Sequence, residues 1–199
     1  MMRLKVTIDR KQLREFEKEI GAYNKKLKKQ IEIVTNKTAR AVSSDIAGQI
    51  YKTLNATKGR IKKQIDIDKA SAKGLRGRRL ATARVRIKHE KRLRLADFKP
   101  RQTKRGVSYR INRAEGVSRI DGAFMGPTPK VKLPRWDGGV RRRIGGPKTP
   151  HVELMGVSPW GVFVKRRLRK PITEMARERY RREIESRLRY IRLKKQGAI

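Results

Sequence analysis

Three stretches of this chain alternate cationic and apolar side chains: Ala83-Arg84-Val85-Arg86-Ile87-Lys88, Arg92-Leu93-Arg94-Leu95 and Val107-Ser108-Tyr109-Arg110-Ile111. A period of two puts successive side chains on opposite faces of a strand, so each stretch predicts one apolar and one charged face. Val85, Ile87, Leu93, Leu95, Tyr109 and Ile111 would then be buried. Arg84, Arg86, Lys88, Arg92, Arg94 and Arg110 would be displayed together on a rigid sheet. Guanidinium groups pair bidentately with phosphate oxygens, so such a face suits a polyphosphate chain. The same pattern also describes the solvated outer face of an ordinary antiparallel sheet. A further run, Arg141-Arg142-Arg143, is either a phosphate contact or a solubilising stretch.

Residue types suited to catalysis are sparse and scattered. There is no cysteine, which excludes disulfides and thiolate metal sites. The carboxylates Asp66, Asp68, Asp121 and Glu153 are too dispersed to suggest the cluster a Mg²⁺-dependent nuclease needs. Asp66-Ile67-Asp68 would share one strand face, where ion pairing is the commoner role. His89 and His151 are the only histidines, and no Ser–His–Asp arrangement follows from their spacing. The expectation is a non-enzyme with no catalytic residues, no metal and no cofactor.

The whole chain carries 56 Lys and Arg against 18 Asp and Glu, a net +38 over 199 residues. The excess runs along the chain and peaks over residues 57–115, so it is not a detachable tail. This balance points to nucleic acid, an acidic protein surface, or both as partners. No stretch approaches the about 20 apolar residues of a membrane-spanning helix. Met1 to Ile8 lacks the apolar core of a signal peptide and reads as a short alternating strand, so assembly in a cytoplasm is expected.

The elements that must position these cations read as α+β: a long N-terminal helix and a C-terminal helix on a small antiparallel sheet, with a long Pro/Gly-rich loop. One domain spans residues 1–199. Residues 1–56 hold the strand and long helix, 57–120 the basic sheet region, 121–164 the interface loop and 165–199 the basic helix. Asp9 and Gln12 have capping-box spacing, and an apolar stripe runs from Leu13 through Phe16, Ile20, Tyr23, Leu27, Ile31, Val34, Thr38, Ala41 and Ile46. Unbroken from Lys11 to Leu54, that helix would extend about 66 Å. Gly21 or Ser43-Ser44 would divide it if two helices form instead. Thr57 to Gln64 predicts a short basic helix, Ile65 to Asp68 a strand and Ser71 to Arg79 a basic loop. Residues 121–161 gather most prolines and many glycines, which predicts irregular chain, and about forty such residues are uncommon unless functional or interfacial. Trp136, Trp160 and Phe124 are candidate oligomer-interface anchors there. Pro171 opens the last helix and Gly197 follows its end. Ile172, Met175, Ala176, Tyr180, Ile184, Leu188 and Ile191 line one of its faces.

The string Arg94-Leu95-Ala96-Asp97-Phe98-Lys99-Pro100-Arg101-Gln102-Thr103-Lys104-Arg105-Gly106-Val107-Ser108, followed by Ile120-Asp121-Gly122-Ala123-Phe124, resembles the minor tail protein Z, or tail completion, family of tailed phages. The late stretch Pro150-His151-Val152-Glu153-Leu154-Met155-Gly156-Val157-Ser158-Pro159 occupies the place of that family's "Gly-Pro-Ser-Val"-like motif. The resemblance covers most of the chain in element order, and its specific strings cover residues 84–124. It implies a non-enzymatic virion component at the upper end of the tail, near the head–tail joint. Its implied partners are the tail terminator, the tape measure, head–tail joining proteins and genomic DNA. Its implied assembly is a homo-oligomeric ring, hexameric or threefold. DNA passing through a tail is not read by sequence, so phosphate contacts suffice. No zinc-finger spacing, helix-turn-helix signature or aromatic RNA-recognition strand is present. A different class remains open at this point: a ribosomal-like or architectural protein that binds nucleic acid without sequence preference.

Overall fold

The computed structural model describes residues 3–7, 14, 25–71, 82–126, 138–145 and 150–196. Within them the chain is α+β, with nine short strands in three antiparallel three-stranded sheets, two long helices and two short ones. These residues group into two compact units.

Unit 1 takes residues up to Ile46, then Ile65–Ile87 and Arg167 onward. Its sheet has the order β1-β3-β2, with β1 at Arg3–Thr7, β2 at Ile65–Asp68 and β3 at Thr82–Ile87. The central strand buries Ala83, Val85 and Ile87 while Arg84 is exposed, the alternation its sequence predicts. The long helix α1 runs unbroken from Lys25 to Thr53, about 43 Å at the usual rise. Ser43-Ser44 therefore does not divide it, and Ser43 is buried on the helix face that also buries Val42 and Ile46. The proposed cap at Asp9, the stripe residues before Lys25, Gly21 as a break, and the basic loop from Ala72 to Arg79 lie outside the described residues. The last helix, α4, spans Arg169–Lys195 and buries Ile172, Ala176, Tyr180, Ile184 and Leu188, while Met175 is at the exposed margin of that stripe. Helices α1 and α4 are joined by Lys37–Glu183 at 2.7 Å, Arg179–Asp45 at 3.2 Å and a bond from the Arg187 guanidinium to Gln30.

Between the same two helices, Thr35 and Tyr180 share a buried hydroxyl–hydroxyl bond of 3.3 Å. Burial pushes the Tyr180 phenol up to about 12, against the opposing effect of the Thr35 bond. The folded protein therefore holds this proton more tightly than the unfolded chain. Its contribution is complete below pH 10 and is lost as pH rises from 10 to 12. We expect denaturant-measured stability to fall across that window with a component of about 1.4 kcal/mol per pH unit from this group. Tyr180→Phe should remove that component. Equal slopes in the two proteins would refute the assignment.

Unit 2 takes residues Ala47–Gln64 and Lys88–Arg166. It contains the end of α1, the short helix α2 (Lys58–Lys62), and the sheet β4-β5-β6 at Arg101–Thr103, Gly106–Tyr109 and Ser118–Asp121. It also holds the sheet β7-β8-β9 at Ala123–Met125, Val140–Arg143 and His151–Glu153, and helix α3 at Pro159–Lys165. Ile50, Leu54, Ile61, Leu93, Leu95, Phe98, Val107, Val140 and Phe163 form its core. Arg113 closes the C-terminus of α1. Its Nε donates to the carbonyls of Tyr51 and Leu54 at 3.0 Å each, and its guanidinium lies 4.3 Å above the Tyr51 ring.

Two expectations are corrected here. The stretch Arg92 to Leu95 is not a sheet strand: Arg94 makes an isolated bridge to Met155, and Leu95–Phe98 turns into a 3₁₀ helix. Leu93 and Leu95 are still buried, because the extended residues before the turn pair with Leu154–Val157. The turn is fixed by Asp97 Oδ2, which accepts from the Arg94 N–H at 3.1 Å. Residues 121–164 are likewise not one irregular loop, since β7, β8, β9 and α3 all fall within them. The described part of this segment pairs within its own chain, β7 with β8 and β8 with β9. The proline- and glycine-bearing segments 127–137 and 146–149 lie outside the described residues.

Candidate nucleic-acid interface

The residues carrying the family resemblance hold unit 2 together. Asp97 caps its own turn and pairs with Arg60 at 3.2 Å. Phe98 is fully buried. Gln102 ties two sheets: its Oε1 accepts from the Met125 N–H at 2.8 Å and its Nε2 donates to the Gly106 carbonyl at 3.1 Å. Thr103 donates to that same carbonyl at 2.8 Å across the tight Lys104-Arg105 turn. Gly106 has φ +153°, and a Cβ there would collide with the Ile120 carbonyl oxygen of the adjacent strand. The string is thus a scaffold for the two sheets.

The predicted basic face does not exist as a single sheet surface. Arg84 and Arg86 belong to β3 of the first sheet, Arg110 follows β5 of the second, and Arg141, Arg142 and Arg143 belong to β8 of the third. Arg86 is half-buried and pairs with Asp68 on the neighbouring strand at 2.5 Å. Arg94 is half-buried and its Nε donates to Glu153. Lys88 and Arg141 are also half-buried and engaged, and Arg143 is exposed with a partner of its own. Arg84, Arg92, Arg110 and Arg142 are exposed and have no ion-pair partner among the described residues.

The aromatic anchors divide similarly. Trp136 lies outside the described residues. Trp160 sits half-buried in the first turn of α3, which Ser158 caps by accepting from the Trp160 N–H at 3.3 Å. Its ring stacks on Phe163 at 6.1 Å between centroids. Phe124, on β7, meets the His151 ring edge-on at 5.8 Å.

Folding gathers cations that sequence spacing does not connect. Arg60 and Lys63, at and just beyond the end of α2, line one cleft of about 380 Å³ with Lys91, Arg92 and Arg94 of the connection after β3. Leu93 and Met155 supply apolar wall, and Glu90 and Asp97 supply the only carboxylates of the lining. Lys63, Lys91 and Arg92 are exposed and have no ion-pair partner among the described residues. Arg60 and Arg94 are held in place by Asp97 and Glu153. Arg60, Lys63 and Lys91 were missed in the sequence because they sit on a short helix and an irregular connection, neither of which imposes a period.

Among the described residues, no three His, Asp or Glu side chains gather as metal ligands would, and no helix is long and apolar enough to cross a membrane. Comparison with family models, curated proteins and solved structures finds no match to this chain.

Proposed function

We propose that this protein is a non-enzymatic structural component of a tailed-phage virion, a tail completion protein at the upper end of the tail near the head–tail joint. It meets genomic DNA through phosphates alone, independently of sequence. The observation that carries the DNA contact is the cationic excess of unit 2, where Lys63, Lys91, Arg92, Arg110 and Arg142 stand exposed without carboxylate partners among the described residues. A surface of that kind attracts polyanions through phosphate contacts, which carry no sequence information. The tail location rests on the string from Arg94 to Ser108 with Ile120 to Phe124. Its residues knit β4, β5 and β7 into one unit, as expected of a string that specifies a fold. Exposed Ile144 and Val152 beside the β8–β9 pair offer apolar area to ring neighbours. The partners on this reading are further copies of the chain, the tail terminator, the tape measure and head–tail joining proteins.

A density map of the intact virion neck tests this directly. The two units of the chain should fit density between the tail tube and the connector, in a ring of six or three copies. A map in which every neck density is accounted for by other chains would overturn the proposal.

A further inference from the structure

We infer that the cleft between the end of α2 and the 90–94 connection is a seat for one sugar–phosphate unit of a nucleic-acid strand; this rests on the phosphate-contact reading above. Three features of the cleft support it. First, its cations are of two kinds. Lys63, Lys91 and Arg92 are exposed and have no carboxylate partner among the described residues, so they are free to take phosphate oxygens. Arg60 and Arg94 are immobilised by Asp97 and Glu153, which fixes the wall against which a strand would lie. Second, a volume of about 380 Å³ is far larger than one ion requires and lies within the range that takes organic ligands. Leu93 and Met155 give that volume an apolar side suited to a sugar ring.

Third, the Gln64 side chain lines the cleft with its Oε1 buried and making no hydrogen bond among the described residues. A buried amide oxygen without a partner is costly, and being enclosed it cannot accept from a ligand where it stands. Turning the amide would instead present its NH₂ to a phosphate oxygen. With two carboxylates in its lining, the cleft matches a singly charged phosphodiester better than a dense polyphosphate.

The test compares two charge-matched variants by fluorescence anisotropy on a labelled duplex across a salt series. One carries Lys63→Ala, Lys91→Ala and Arg92→Ala. The other carries Lys165→Ala, Arg166→Ala and Arg177→Ala, three exposed cations that do not line the cleft. The cleft variant should lose about 0.9 from the magnitude of the slope of log K against log salt, the contribution of the one phosphate that the three cations share. It should also bind at least about tenfold more weakly than the matched variant at the same salt. Lys63→Arg with Lys91→Arg should restore the slope. Equal losses in the two triple variants, with the wild type binding normally, would overturn this inference and leave the DNA-contact reading standing. A wild type that does not bind duplex at all would overturn both. Adenosine monophosphate competing at micromolar concentration would assign the cleft to a free nucleotide and overturn the proposal as stated.

Discussion

Raising monovalent salt from 50 to 200 mM is expected to weaken duplex binding by this protein about 10³-fold, with a slope of log K against log salt near −5. The figure follows from six phosphate contacts, each releasing condensed counterions and contributing about −0.9 to the slope. Unit 2 has enough exposed cations for this, with Lys63, Lys91, Arg92, Arg110 and Arg142 joined by Lys62 and Lys99. Arg86 and Arg94 add little, because Asp68 and Glu153 already neutralise them. Replacing Arg84 and Arg86 together by Ala should therefore shift the slope by about one contact at most. Two unrelated duplexes of equal length should bind equally. A slope shallower than about −2 would leave too few phosphate contacts to support the reading. A preference of more than about tenfold between the duplexes, equivalent to about 1.4 kcal/mol, would mean that base edges are being read.

How much of this was legible in advance depends on how far along the chain each partner lies. The period-two alternation of residues 83–88 correctly predicts which side chains of β3 are buried, because burial follows from the strand alone. The stripes of α1 and α4 are legible for the same reason. The fate of the cations is not. Arg86 meets Asp68 and Arg94 meets Glu153 only because of cross-strand register and a bridge between distant segments. The local sequence predicts an ion-paired role for Asp68, which the Arg86 pair bears out, but it does not mark the partner, and it marks nothing of the Arg94–Glu153 pair.

The region 121–164 fails for a different reason. Its strands have three or four residues, and Val140-Arg141-Arg142-Arg143 offers one apolar side chain, too little for a period to show. What makes it a sheet is external to each strand: β8 is flanked by β7 and β9, and the Met125 amide is tied to Gln102. The candidate site suffers most. Three of the five cleft cations come from the α2 segment and Lys91, where no motif occurs, and two from a stretch whose alternation predicts a strand. The chemistry was legible as composition and its location as nothing more than a peak in charge.

The largest stability effect should come from the contact between Phe98 and Gly156, which joins the central string to the late stretch. Phe98 is fully buried, and a Cβ on Gly156 would collide with its ring at Cε2 and sit 3.2 Å from both Cδ2 and Cζ. The glycine is needed here for space. Its N–H also donates to the Leu93 carbonyl at 2.8 Å, so the same residue positions the later part of the 90–94 connection. Phe98→Ala should cost about 3–5 kcal/mol through the cavity it leaves. Gly156→Ala should cost about 1–3 kcal/mol by overpacking. The informative measurement is the pair Phe98→Leu and Gly156→Ala. The smaller side chain makes room for the added methyl, so the double variant should be less destabilised than the two single costs combined, by about 1 kcal/mol. Because the described residues form two units, unfolding should be followed through Trp160, which lies in unit 2, so that the readout reports the unit containing both residues. Simple additivity would mean that the ring and the glycine do not share a packing constraint. Coupling accompanied by weaker duplex binding in Gly156→Ala would tie this packing joint to the cleft wall that Leu93 and Met155 form beside it.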